Sequence, residues 1–195
     1  MGGDGPAGLV YQAGLVTTEE ERALVGCLDA IELSAIRMRG QVARRRTAHF
    51  GWLYGYETWR VEPGPSIPGF LEPLRGRAAA LAGVAAAALA EVLVTEYPPG
   101  AGIGWHQDAP SFGVVVGVSL LGACRLRFRR SEAGTRPAWA IDLAPRSAYV
   151  LQGAARWRWQ HGIPPIRQRR YSVTFRTLRD AVPTGRRAPT PPRPS

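Results

Sequence analysis

Lysine and asparagine are absent from the 195 residues, and cysteine and methionine occur only twice each. Two cysteines, Cys27 and Cys124, cannot build a disulfide framework, and neither has a neighbouring cysteine or histidine at zinc-ligand spacing. Both are expected as buried free thiols in a reducing compartment. Long apolar runs are missing as well: the most apolar stretch, residues 78–94, is mostly alanine and is interrupted by Gly83 and Glu91. That falls short of the roughly 18 apolar residues of a membrane span. The Gly-rich start lacks the basic region of a secretory signal. A cytoplasmic protein without a membrane partner is therefore expected.

What the chain does have is positive charge. Its 25 basic residues, all arginine, face 15 acidic ones, a formal net charge of +10. Lysine and asparagine both have A-rich codons, so a GC-rich bacterial genome accounts for arginine in place of lysine, but not for the positive excess. A field of this sign favours polyanions, nucleic acid above all, with a merely basic soluble protein as the alternative.

The length suits a single domain with a real core. Residues 1–8 are Gly-rich and expected to be disordered. Residues 180–195 carry five prolines and three arginines and are expected as a flexible basic tail. Between them, residues 9–179 read as one domain. In its first portion, 9–91, Thr17 or Thr18 followed by Glu20 or Glu21 forms a capping box, and Leu24, Leu28 and Ile31 follow at helical spacing. Arg44, Arg45 and Arg46 precede alternating aromatics, Trp52, Tyr54 and Tyr56, and an alanine-rich helix is predicted over residues 71 to about 89, with Gly83 as a point of division. In the second portion, 92–179, the pattern changes to short strands at 92–97, 114–121, 125–130, 139–143, 147–151 and 171–178. The expected fold is mainly β, a sandwich or jelly-roll core under an N-terminal helical layer.

Only three histidines are present, His49, His106 and His161. His106 and Asp108 stand two residues apart, which in extended backbone sends both side chains to one face. With His161 beside a later strand, they make two imidazoles and one carboxylate, a facial set that leaves open positions on Fe(II). In the last strand Arg170, Ser172, Thr174 and Arg176 share one face, while Tyr171, Val173 and Phe175 share the other. A buried face of this kind needs an anionic partner, and an arginine fork suits a dicarboxylate. A solvated edge strand is the competing reading. His49 has no partner by sequence and is expected to be structural or a phosphate contact.

Taken together, these residues resemble the AlkB-like branch of the Fe(II)- and 2-oxoglutarate-dependent dioxygenases. The stretch Thr95-Glu96-Tyr97, Gly100 and His106-Gln107-Asp108 is similar to that family's Asn-x-Tyr, Gly and His-x-Asp segment. Gly153, Arg156, Trp159 and His161 match the stretch around its distal histidine, and the strand from Arg170 to Arg176 matches its closing Arg-x-Asn-x-Thr-x-Arg. The resemblance implies a double-stranded β-helix (jelly-roll) core with a helical and lid layer. It makes His106, Asp108 and His161 the iron ligands, with 2-oxoglutarate and O2 as cosubstrates. Arg170 and Tyr97 would hold the distal carboxylate of 2-oxoglutarate, and Arg176 would lie near its carboxylate and keto end. Thr95 and Ser172 replace asparagines of the family; a hydroxyl offers one donor where an amide offers two, which implies weaker contacts.

The implied function is oxidative demethylation of alkylated bases in DNA or RNA, hence DNA repair, through hydroxylation of the N-alkyl carbon and loss of formaldehyde. Single-stranded nucleic acid is the implied partner, with Arg44, Arg45, Arg46, Trp52, Tyr54 and Tyr56 as contacts and Arg125, Arg127 and Arg129 as a second basic face; a monomer is expected. Core packing is the alternative reading of the aromatics. Ala109 and Pro110 stand where nucleobase-repairing relatives carry acidic residues that read the base. Oxidation of a protein or small molecule, or a non-catalytic nucleic-acid-binding module, are the other functions this composition allows.

Overall fold

The computed structural model describes residues 5–38, 41–54, 61–130 and 139–179. The expected basic tail, residues 1–4 and Tyr56 lie outside the described residues. Residues 5–8, expected to be disordered, form a turn instead: the carbonyls of Ala7 and Gly8 accept hydrogen bonds from the backbone of Ala155 (2.8 Å) and Gln152 (3.1 Å).

Thr17 wins the choice of N-cap. Its hydroxyl accepts from Glu20 N while the Glu20 carboxylate accepts from Thr17 N, and helix α1 (Thr18–Asp29) starts there. Helix α2 (Glu72–Ala82) is shorter than predicted. Gly83 takes the left-handed conformation that caps a helix, φ 68°, and a single 3-10 turn leads into a strand beginning at Leu89. The alanine propensity loses because Leu89 and Glu91 are wholly buried in the sheet. A third helix, α3, is one short turn, Gly153–Trp157.

Strands β1 (Leu9–Gln12), β2 (Ser34–Met38), β3 (Gln41–Phe50), β6 (Leu89–Tyr97), β8 (Phe112–Leu121), β11 (Ser147–Leu151) and β13 (Arg170–Leu178) form one antiparallel sheet in the order β1-β11-β8-β13-β6-β3-β2. β7 (Ile103–His106), β9 (Cys124–Arg130), β10 (Trp139–Leu143) and β12 (Trp159–Ile163) form a second, ordered β10-β9-β12-β7. β4 (Trp52–Tyr54) and β5 (Val61–Pro63) pair separately. The segment 9–91 thus supplies strands as well as helices: β1, β2 and β3 widen the larger sheet on both edges, and β6 begins before residue 92. Arg44, Arg45 and Arg46, expected in a lid, lie within β3.

Period-two alternation decides which side of the large sheet faces what. Val92, Val94, Val116, Val118, Tyr171, Val173 and Phe175 pack against Leu28, Leu74 and Ala78 of the helices. The opposite residues, among them Val115, Tyr149 and Leu151, pack against Leu126, Phe128 and Ile163 of the smaller sheet. The result is three layers, helix on sheet on sheet, with a double-stranded β-helix core. Tyr149 lies flat over its cross-strand partner Gly117, where any Cβ would meet the ring at 2.4 Å. Cys124 is buried as expected, but Cys27 is exposed on α1, because the apolar face of that helix is used up by Leu28 and its neighbours. Among the described residues no helix is long and apolar enough to cross a membrane.

Helix α1 is anchored by one buried carboxylate. Glu21 accepts from the backbone N–H of Leu121 and from Arg146, both at 2.8 Å, at a corner where Leu121 and Arg146 adopt left-handed φ of 67° and 62°. Glu21→Ala leaves that partly buried N–H without its acceptor and Arg146 without its carboxylate, and is expected to cost about 2 kcal/mol in urea unfolding. The exposed Glu19→Ala should change stability by less than about 0.5 kcal/mol.

Candidate metal centre

β7 and β12 are antiparallel neighbours, and their register makes His106 and His161 cross-strand partners with ring centroids 4.3 Å apart. Asp108, two residues beyond His106, is buried beside them. One ligand atom from each of the three residues falls within 4.8 Å of the others. Nδ1 of His106 lies 2.9 Å from the carbonyl oxygen of Gly104. A carbonyl only accepts, so Nδ1 carries the proton and Nε2 keeps its lone pair for a metal.

Burial, reinforced by His106 and by Arg156 and Arg176 against the pull of Asp108, brings the His161 pKa down to about 3. Burial also lowers that of His106, so both imidazoles are neutral ligands at physiological pH. Burial works against ionisation of Asp108, yet Arg176 and then the two histidines hold its carboxyl well below the usual carboxylate range.

The two oxygens of Asp108 differ. Oδ1 accepts from Nε and Nη2 of Arg176 at 3.0 and 2.7 Å. Oδ2 is buried, has no hydrogen-bond donor among the described residues, and lies 3.6 Å from Nε2 of His161. A buried carboxylate oxygen left this way is what a cation satisfies. Two neutral imidazoles and one carboxylate oxygen fit Fe(II) with coordination positions to spare. The turn carrying Asp108 is held by Arg156 of α3, which is buried and donates to the carbonyls of Gly113 (3.0 Å), Ala109 (2.7 Å) and Phe112 (2.7 Å).

Six residues before Arg176 on the same face of β13 is Arg170, wholly buried, so the solvated-edge reading of its strand is wrong. Its Nε donates to Ser119 Oγ at 2.8 Å, its guanidinium carbon lies 5.2 Å from the centre of the Tyr97 ring, and Nη1 and Nη2 make no hydrogen bond among the described residues. Two unpaired donors on one buried fork fit a carboxylate of 2-oxoglutarate. Thr95 and Ser172 are cross-strand partners in a buried row of hydroxyls running Thr47, Thr95, Ser172, Ser119 and Ser147 across five strands. Burial raises the pKa of Tyr97, keeping its phenol protonated and able to donate, against the opposing influence of Arg170 and Arg45.

The residues expected to contact a polymer are not all brought to this cluster. Arg46 pairs with Glu96, whereas Arg45, one residue earlier on the other face of β3, is felt electrostatically by Tyr97 and His106. Trp52 is half-buried in β4; the side chain of Tyr54 lies outside what is described. On the outer face of the smaller sheet, Arg127 and Arg129 sit 5.3 and 4.8 Å from the ring centre of Trp105. Sequence reasoning missed Glu91 and the partner of His49, which turn out to be each other: His49 Nδ1 is 3.2 Å from Glu91 Oε1. The one visible signal was an acidic residue interrupting an apolar run.

Comparison with known proteins agrees with this geometry. The model of the 2OG-Fe(II) oxygenase superfamily matches residues 8–185. The chain is 30% identical over 209 residues to the Alkylated DNA repair protein ALKBH8 homolog of Arabidopsis thaliana, covering 89% of this chain and 59% of that protein. It is 28% identical over 171 residues to the tRNA (carboxymethyluridine(34)-5-O)-methyltransferase ALKBH8 of Mus musculus, covering 82% of this chain and 24% of that one. The chain therefore spans about three fifths and one quarter of these two relatives. The solved structure of OsALKBH1 superimposes with a TM-score of 0.65 at 17% identity, over 88% of this chain and 97% of the other, and so shares the fold. Motif order, buried donor set and family match converge: the chain belongs to the 2OG-Fe(II) oxygenase superfamily, as an AlkB-like Fe(II)- and 2-oxoglutarate-dependent dioxygenase.

Proposed function

We propose that the chain oxidises an alkylated base in single-stranded DNA or RNA and releases the alkyl carbon as an aldehyde. The observation that carries the choice of polymer is the surface chemistry: arginines on β3 and on β9, the latter flanking Trp105, in a chain of net charge +10. Guanidinium groups pair with phosphates, and their planes, like aromatic rings, stack on bases. The names of the Arabidopsis and mouse relatives, one for alkylated DNA and one for a tRNA uridine, support the same class of substrate.

When bound, Fe(II), 2-oxoglutarate and O2 together supply the chemistry: the keto acid becomes succinate and CO2, and one oxygen atom enters a substrate C–H bond. The chain's part is to hold and orient. Nε2 of His106, Oδ2 of Asp108 and His161 hold the metal, while Arg170 receives the distal carboxylate with the Tyr97 hydroxyl beside it. Thr95 and Ser172 give that carboxylate shorter, single-donor neighbours. Hydroxylation of an N-methyl group leaves a hemiaminal that collapses to the free base and formaldehyde. A second reading is hydroxylation of an uncharged tRNA base: Ala109 and Pro110, just after Asp108, offer no carboxylate to a cationic methylated base.

Replacing His106, Asp108 or His161 by Ala is expected to abolish both metal uptake, read by isothermal titration, and succinate formation. Retention of full metal affinity in any one of them removes that residue from the ligand set. Arg170→Lys keeps the charge and loses the planar two-point contact, so the KM for 2-oxoglutarate should rise by about tenfold or more with metal affinity unchanged. Affinity for single-stranded oligonucleotides should fall with salt at a log–log slope of about −0.7 per phosphate contact, and Arg44→Ala with Arg129→Ala should flatten it. Formaldehyde released from oligonucleotides carrying N1-methyladenine or N3-methylcytosine is the expected product. If the iron-loaded enzyme binds nucleic acid no better than a neutral control protein does and releases none, the nucleic-acid reading fails.

A further inference from the structure

Glu91 is a carboxylate in the wrong place for a sheet interior. It is wholly buried at the start of β6, on the face turned toward the metal cluster, in a run otherwise made of alanine, leucine and valine. Burying a carboxylate costs several kcal/mol unless it is paired, on the order of the penalty for an ion in a protein interior. Its described partners are two. Arg176, its cross-strand partner on β13, donates from Nη1 to Oε1 and Oε2 at 3.2 and 3.1 Å. His49, on β3, places Nδ1 3.2 Å from Oε1.

Arg176 is thereby shared between two carboxylates. Its Nη1 edge faces Glu91, and its Nε and Nη2 both converge on Oδ1 of Asp108. That division matters for Asp108. An arginine with no second carboxylate to serve takes an aspartate in the two-point fork, one N–H to each oxygen. Such a fork on Asp108 would occupy Oδ2, the oxygen that accepts no hydrogen bond from the described residues and lies toward His161. Loss of the Glu91 carboxylate would also make the surroundings one charge more positive beside the site of a divalent cation.

We propose that Glu91 is a positioning residue for the metal centre: by holding the Nη1 edge of Arg176 it confines the guanidinium to Oδ1 of Asp108 and reserves Oδ2 for the metal. His49 steadies Glu91 from the outer side. Both consequences of losing the carboxylate, competition for Oδ2 and extra positive charge, act in the same direction, toward weaker metal binding. This rests on the metal site and is independent of which substrate the enzyme takes.

The test uses Co(II) as the probe, titrated into the full chain under argon and followed by its d–d absorption, together with thermal unfolding of each variant. Glu91→Gln keeps the shape and loses the charge. It should weaken Co(II) binding by about 10- to 100-fold, the range seen when a group that orients a metal ligand is lost. Glu91→Asp should recover part of that loss. Because Glu91 acts through Arg176, the effect should vanish once Arg176 is gone: in an Arg176→Met background, Glu91→Gln should change Co(II) affinity by less than about threefold. If Arg176→Met does not fold, Arg176→Gln serves as the background. A merely structural Glu91 would lower the melting temperature and leave Co(II) affinity and the d–d spectrum as in the parent, and that outcome overturns the proposal. So does a loss of affinity that is additive with removal of Arg176.

Discussion

Arg176 ties the two sheets together at their most polar point. It leaves β13 of the larger sheet, meets Glu91 from the neighbouring strand, and reaches Asp108 beyond the end of β7 in the smaller one. Removing one member of such a buried ion pair costs roughly 3–5 kcal/mol, because the charge left behind has nowhere to go. The interior between the sheets is therefore organised by charge at one end and by Leu126, Phe128, Leu151 and Ile163 at the other. The metal ligands stand at the border, where desolvation keeps the histidines neutral and the arginine keeps the aspartate ionised.

The same border explains why the proposed cosubstrate side looks as it does. Arg170 and Arg176 lie six positions apart on one strand and hence on one face, but their surroundings differ. Arg176 has carboxylates to either side, whereas Arg170 has a hydroxyl, an aromatic ring and two buried donors that meet no acceptor among the described residues. One arginine is paired within the fold; the other keeps two buried donors that the proposed 2-oxoglutarate carboxylate would satisfy. The buried row of Thr and Ser crosses β13 between them and adds no charge.

Much of this was legible in the sequence, for reasons that can be named. The strands around 114–121, 139–143 and 147–151 carried strong alternation or β-branched runs, and the spacing of His106 with Asp108 and of Arg170 with Arg176 needs only strand geometry to put each pair on one face. β3 was hidden because three consecutive arginines mask its period: Arg45 and Thr47 turn inward, while Arg46 is satisfied by Glu96, fifty residues away in the chain. The far end of the alanine run was misread because helix propensity is local and the burial of Leu89 and Glu91 is not. Pairings such as Glu91 with Arg176 and His49 with Glu91 are long-range, and a single sequence holds no record of them. What it did show was the residue that did not belong in its surroundings.

One further property follows from the placement of the two histidines. β7 is the outermost strand of the smaller sheet, only four residues long, joined to β12 by a register that shifts between His161 and Ile163. A short strand at an edge is the part of a sheet that opens first. His106 belongs to that strand and His161 to its inner neighbour, so any ion bound by both stitches the hem to the cloth. Each such ion adds RT ln(1 + [M]/Kd) to the closed form, and the free energy of coordination becomes local rigidity at the seam. In this fold the catalytic metal is also a structural fastener.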